Sequence, residues 1–177
     1  MIKLVKITNA NKNELNQVFS FDCGNDIINA YLKEDAIIDA QLGLTKTWLY
    51  FKNTKLIGYF TLTVDRITII KSSNISKHLK QNKDYKERLN LNNVPSIQIH
   101  HFAIDKTYQN QKLGSEMMDY VFLYIKDNIL CNIGACLINV FSIKKAVPFY
   151  KRLGFEKTGE SRDTSNVSMA YLTKDLY

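Results

Sequence analysis

The sequence predicts an α/β fold in which one sheet carries helices on both faces. Strand-period and helix-period segments follow one another along 177 residues, a length that suits a single domain over 1–177 and can bury its own core. Two long β-rich runs meet at Asn53-Thr54, a hairpin signal. The strand-like "IQIHHFAID" gives way through the polar "YQNQKLGSEMM" (108–118) to an apolar helical pattern, as in sheets with helices packed on them.

The elements can be justified in order. "MIKLVKIT" opens as a short alternating strand. In "CGNDIINAYLKEDAIIDAQLG" apolar residues at 27, 28, 31, 32, 36, 37 and 38 give helical spacing, with Asn25 as cap and Gly43 as stop. "KTWLYFKNTKLIGYFTLTVDRITI" reads as two strands about the Asn53-Thr54 turn. The basic "KSSNISKHLKQNKDYKERLN" (71–90) is helical in part, and Pro95 delays the next strand to "SIQIHHFAI". A helix from Ser115, "SEMMDYVFLYIKDNIL", puts Met117, Met118, Val121, Phe122 and Ile125 on one face. "ACLINVF" is a short apolar strand. "KKAVPFYKRLGF" is a helix with Pro148 near its first turn and Gly154 at its end, and "NVSMAYL" is the last strand. There are no repeats, low-complexity tracts or linkers.

Composition narrows the function classes. The chain is 45% hydrophobic and 23% charged, with no apolar run of membrane-spanning length. "MIKLVKITNA" lacks the apolar core of a signal peptide, so the expectation is a cytoplasmic protein with no membrane partner. Cys23, Cys131 and Cys136 fit neither a zinc pair nor a redox Cys-x-x-Cys; they read as buried or inert thiols, and no metal is expected. A net charge of +7 favours polyanionic partners. Segment 71–90 holds six of the basic residues against Asp84 and Glu87; a solvated face and a phosphate-facing patch both fit it.

The stretch before the third helical pattern carries the sharpest signal. A helix start exposes unpaired N–H groups at the positive end of its dipole, and a preceding loop can aim more of them at the same point. Gln109, Asn110, Gln111, Lys112, Leu113, Gly114 and Ser115 suit such a phosphate site: Lys112 adds a cation and Gly114 removes a Cβ. The same residues also suit a plain polar turn.

The order strand, "Q-x-x-x-x-G" loop, helix, strand and "AVPFYKRLGF" (146–155) resembles the GNAT family of acetyl-CoA-dependent N-acetyltransferases. That loop usually reads Arg/Gln-x-x-Gly-x-Gly/Ala. Here Gln109 and Gly114 fill its ends, while Asn110 and Lys112 stand where glycines are frequent, a change that negative φ at these positions would accommodate. The stretch "FDCGNDIINAYLKEDAIIDAQLG", with Phe21, Cys23, Gly24, Ile28, Asn29, Tyr31 and Leu32, "HHFAIDKTYQNQKLG" and "MAYLTKDLY" resemble the GNAT toxins of toxin–antitoxin modules.

The resemblance implies a GNAT fold: a mixed, mostly antiparallel sheet with two splayed parallel central strands and helices on both faces. It implies acetyl-CoA as cosubstrate, its pyrophosphate on loop 109–115 with the helix starting at Ser115. Its pantetheine arm would lie against the backbone of Phe102, Ala103 and Ile104, with Asn139 either bonding the arm or lying on the wet face of its strand. Tyr150 would be the general acid that protonates the departing sulfur, against the alternative of an aromatic packed on the sheet; Phe149 reads as packing. Strand alternation puts His100 and His101 on opposite faces, so that one of them faces the chemistry as a base, or no base is used.

Three readings stay open: an acetyltransferase acting on the α-amine of aminoacyl-tRNA, with an antitoxin partner if it is a toxin; one acting on a small or protein amine; and a non-catalytic acetyl-CoA-binding module. Monomer and homodimer are both compatible with the sequence.

Overall fold

The computed structural model describes residues 1–159 and 166–177. The strands are β1 (Ile2–Lys6), β2 (Lys46–Lys52), β3 (Lys55–Ile67), β4 (Val94–Ile104), β5 (Leu137–Ile143), β6 (Glu156–Lys157) and β7 (Asn166–Leu172). They form a mixed sheet in the order β1-β2-β3-β4-β5-β7-β6. β1–β2, β2–β3, β5–β7 and β6–β7 are antiparallel. β4 and β5 are parallel, in the registers Ser96↔Leu137, Ile97↔Ile138 and Gln98↔Asn139. Among the described residues that parallel ladder has no further rungs, although β4 runs on to Ile104 and β5 to Ile143.

The helices are α1 (Lys12–Ser20), α2 (Asp26–Ala30), α3 (Ala36–Leu42), α4 (Asn74–Gln81), α5 (Lys83–Arg88), α6 (Leu113–Tyr124) and α7 (Val147–Arg152). Among the described residues no helix is long and apolar enough to cross a membrane. The chain divides into two compact units. One comprises Met1–Thr63 with His100–Val121, the other Val64–Ile99 with Phe122–Tyr177.

In the first unit the hairpin turns as expected: Asn53 and Thr54 have φ of 49° and 71°, the paired left-handed geometry that suits strand twist. Alternation along β3 then sets two layers. Tyr59 faces α2, where its hydroxyl donates to the Ile28 carbonyl at 2.7 Å and its ring meets Phe21 edge-on. The buried cluster on this side includes Val18, Phe21, Leu32, Ala36, Leu49 and Phe51, each large member contributing about 1.5–3 kcal/mol by burial. The preceding residue, Gly58, faces the other way. A Cβ there would stand 2.5 Å from the Ala103 carbonyl and 3.1 Å from Met117 Sδ of α6, so glycine lets β3, β4 and α6 close together. Helices thus cover both faces of these strands.

The second helical stretch is capped as read: the Asn25 side chain accepts from the N–H groups of Ile27 and Ile28, and Gly43 ends α3 at φ 79°. Between α2 and α3 the turn widens to a π-helix at Tyr31–Asp35. Helix α1 was not among the expected elements, although Leu15, Val18 and Phe19 stand at helical spacing. It starts with a capping box in which Asn11 accepts from Glu14 N–H and Glu14 returns a bond to Asn11 N–H.

In the second unit β5 and β7 support a core of Ile67, Ile69, Ile75, Leu79, Val94, Leu137, Ala170 and Leu172. Phe155 stacks with Phe122 and tilts against Tyr171. Pro148 sits in the first turn of α7, whose end is followed by Gly154 at φ 90°. The expected delay of β4 by Pro95 does not occur. The strand already starts at Val94, and the Pro95 carbonyl accepts from Cys136 N–H at 3.0 Å.

Candidate functional site

The first unit holds the polar loop. The helix behind it begins at Leu113, two residues before the expected start at Ser115. Leu113 and Gly114 therefore belong to the first turn of α6, and the exposed loop contracts to Gln109–Lys112. Asn110 and Lys112 have φ of 61° and 63°. The negative φ that would have accommodated the missing glycines is not adopted: the loop keeps glycine-like geometry at both positions without glycine. Alternating φ signs form a nest, a concavity into which successive N–H groups point. Among the described residues no acceptor takes the N–H groups of residues 110–114. Five donors at the positive end of a helix, with the exposed Lys112 ammonium beside them, form an anion-binding arrangement.

The flanking residues are engaged otherwise. The N–H groups of Ser115 and Glu116 both donate to the Lys112 carbonyl, at 3.0 and 3.1 Å. The Gln109 amide nitrogen donates to the carbonyls of Cys23 and Ile104, both at 2.9 Å. The Gln111 side chain donates to the Thr107 carbonyl at 3.1 Å. These side chains shape the loop from within.

A second set of residues holds the loop from outside, and the sequence reading passed over it. Asp105 caps the turn Lys106–Tyr108, accepting from Thr107 N–H at 3.0 Å, and its other oxygen accepts from Asp22 N–H at 3.1 Å. Asp22 forms an ion pair with Lys106 at 2.6 Å and accepts from Gly24 N–H and the Asn29 amide. The Lys106 ammonium, then Gly24 N–H and the Asn29 amide, hold the Asp22 carboxyl well below the usual carboxylate range. The available signal was that "FDCGN" and "AIDKTYQ" each carry a turn-forming Asp, the first followed by a left-handed Gly.

Phe102, Ala103 and Ile104 end β4, with Ala103 and Ile104 buried. His100 and His101, expected on opposite faces, instead meet: their Nδ1 atoms are 2.8 Å apart. The Tyr31 ring lies against both imidazoles, stacked on His101 at 3.8 Å and tilted at 5.6 Å from His100.

The second unit holds Tyr150 and Asn139. Tyr150 lies on α7, 5% exposed, with Phe149 and Phe155 edge-on to its ring at 5.2 and 5.4 Å. Burial pushes its phenol well above the usual tyrosine value, so it stays protonated at neutral pH. Asn139 is fully buried in β5, which rules out the wet-face reading. Its amide nitrogen donates to Asp65 at 2.9 Å, and among the described residues its Oδ1 has no partner. The structure thus groups loop 109–115 with β4 residues 102–104 in one unit, and Tyr150 with Asn139 in the other.

No curated protein sequence matches the chain. Solved structures match its fold at low identity. A mutant of KacT is 23% identical, the match covering 99% of this chain and 96% of that one with a TM-score of 0.75. AtaT complexed with acetyl-methionyl-tRNAfMet is 19% identical over 99% and 97%, TM-score 0.77. A bacterial toxin is 14% identical over 99% and 93%, TM-score 0.78. The family model described as "Acetyltransferase (GNAT) domain" matches residues 85–176, more than half of the sequence and including the loop, α6, β5 and α7. The chain therefore belongs to the GNAT family of acetyltransferases, which use acetyl-CoA as donor.

Proposed function

We propose that this chain acetylates the α-amino group of an aminoacyl-tRNA, and that residues 1–177 act as one acetyltransferase domain. The observation that carries the donor side is the run of N–H groups from Asn110 to Gly114 without acceptors, beside Lys112. A diphosphate fits this set, since its oxygens accept several bonds at once and Lys112 offsets part of their charge. Bound acetyl-CoA supplies a thioester carbonyl. The backbone of Phe102, Ala103 and Ile104 orients the pantetheine arm. Tyr150 holds a proton at its hydroxyl for the departing sulfur, and burial keeps that proton in place until then.

The acceptor reading is supported by α4 and α5, which carry Lys77, Lys80, Lys83, Lys86 and Arg88 exposed. It is also supported by likeness of fold to AtaT, described in complex with acetyl-methionyl-tRNAfMet and, as a mutant, with the C-terminus of the antitoxin AtaR. A partner antitoxin belongs to the same reading. The test is direct: purified protein, labelled acetyl-CoA and a full pool of charged tRNA. The expected product is acetylated aminoacyl-tRNA, released by mild alkali as an N-acetyl amino acid. Label in a small amine or a protein, with none in RNA, would replace this acceptor with the rival one.

A further inference from the structure

The turn at 22–25 takes no part in the chemistry above, yet it grips the segment that leads into the phosphate loop. Asp22 N–H donates to an Asp105 carboxylate oxygen at 3.1 Å. Lys106 N–H donates to the Asp22 carbonyl at 2.8 Å, and the Lys106 ammonium stands 2.6 Å from Asp22 Oδ2. The Gln109 amide donates to the Cys23 carbonyl at 2.9 Å. Asp105 passes the hold onward, its other oxygen accepting from the Thr107 N–H and hydroxyl at 3.0 and 2.6 Å. All of these residues, and the loop they adjoin, belong to the first unit.

The turn is the firmer of the two partners. Asp22 Oδ1 accepts from Gly24 N–H at 2.8 Å and from the Asn29 amide at 2.9 Å. Asn29, buried on α2, accepts in return from Cys23 N–H at 2.9 Å. Phe21, just before the turn, is buried against Tyr59, whose hydroxyl donates to the Ile28 carbonyl of α2. The loop is the opposite case. Asn110 and Lys112 sit at left-handed φ, a conformation that non-glycine residues keep only where their surroundings impose it. The Gln111 side chain bonds back to the Thr107 carbonyl, within the segment that the turn grips. Asp22 itself is unsuited to meet a diphosphate. Its charge would repel one, and both of its carboxylate oxygens already accept.

We propose that Asp22 is a positioning residue of the donor site: through Lys106 and Asp105 it holds the N–H groups of residues 110–114 in the array that takes the diphosphate of acetyl-CoA. This rests on the transferase reading above. A loosened array weakens the donor equally in the ground and transition states, so KM for acetyl-CoA rises while kcat stays. A turn that merely supported the fold would, when weakened, reduce the folded fraction, and with it kcat, at unchanged KM.

The test is acetyl-CoA affinity by calorimetry, with kcat and KM on the charged-tRNA pool, for Asp22→Asn, Lys106→Met, the double variant and Lys106→Arg. Asparagine keeps an acceptor for Gly24 N–H and the Asn29 amide, so the turn still forms while the ion pair is lost. Each single loss is expected to raise Kd and KM for acetyl-CoA about fivefold, the size of an exposed ion pair's contribution. The double variant should lose no more than either single one, because both remove the same contact. Lys106→Arg, which can still pair, should bind as the wild type does. Losses that multiply in the double variant overturn the role, because Lys106 then meets the phosphate by itself. Wild-type affinity in Asp22→Asn, or a lower kcat at unchanged KM, overturns it as well. A wild type that binds no acetyl-CoA and labels no amine overturns the transferase reading along with the positioning role.

Discussion

Tyr150 is packed, and the proposed function gives the same side chain a part in the chemistry. Its ring is enclosed by Phe149 and Phe155, and these contacts survive removal of the hydroxyl. Tyr150→Phe should therefore lower kcat about 10²–10⁴-fold while leaving acetyl-CoA affinity unchanged, read by steady-state rates and calorimetry. An unchanged kcat, with chemistry shown to limit the rate, would return Tyr150 to the core. His101 sets a pH dependence of a different kind. Its pKa is about 4 in the folded chain against an ordinary 6.5, so the unfolded chain binds a proton that the folded one refuses. Stability is fully present above about pH 6.5 and falls as pH drops towards 4, by up to about 3 kcal/mol. Chemical denaturation at several pH values should show a flatter curve for His101→Phe. Tyr150 stood out in the sequence because "FYKRLGF" places it in a recognisable pattern, and the structure shows its packing. The contact between His100 and His101 was not legible, because alternation separates neighbours on an ideal strand, and Tyr31, which packs on both rings, lies far away in sequence.

At the scale of elements, loop 109–112 is held in a geometry its residues disfavour. A left-handed lysine costs about 1–2 kcal/mol, and a glycine loses about 0.5–1 kcal/mol through chain entropy. Lys112→Gly should thus stabilise the fold, on the order of 0.5–1 kcal/mol, while weakening acetyl-CoA binding by removing a cation from its site. Denaturation midpoints and calorimetry read the two effects separately, and a destabilised variant would mean that the lysine side chain itself props the loop. Caps and turns were readable wherever local chemistry decides the ending: Asn25, Gly43 and Asn53-Thr54 all act as their residue types suggest. The start of α6 was not readable, because Gly114 looks like a loop residue until packing commits it to a helical turn. Helix α1 was missed although Leu15, Val18 and Phe19 stand at helical spacing and Asn11-x-x-Glu14 spells its capping box.

For the molecule as a whole, the excess of 24 basic over 17 acidic residues gives a general attraction to polyanions, and α4 and α5 concentrate it. Neutralising Lys77, Lys80 and Lys83 together to glutamine should weaken tRNA binding and flatten its salt dependence, since each lost phosphate contact removes about 0.7–0.9 from the slope of log affinity against log salt. Acetyl-CoA affinity should stay constant; an unchanged salt slope would move the RNA footprint elsewhere. Fold class was legible from periodicity and order of elements. The division into two units was not, because each is assembled from separated stretches of chain. That interleaving matters most at Asp22 and Cys23. The family-matched stretch begins at residue 85, yet the turn and loop at 105–109 are tied to the Asp22 carboxylate and the Cys23 carbonyl, far upstream. A graft that exchanged residues 85–176 alone between relatives would move the loop without its anchor. The two stretches are expected to be inherited as a pair, and a chimera should recover donor binding only when its "FDCGN" comes from the same parent as its "AIDKTYQ".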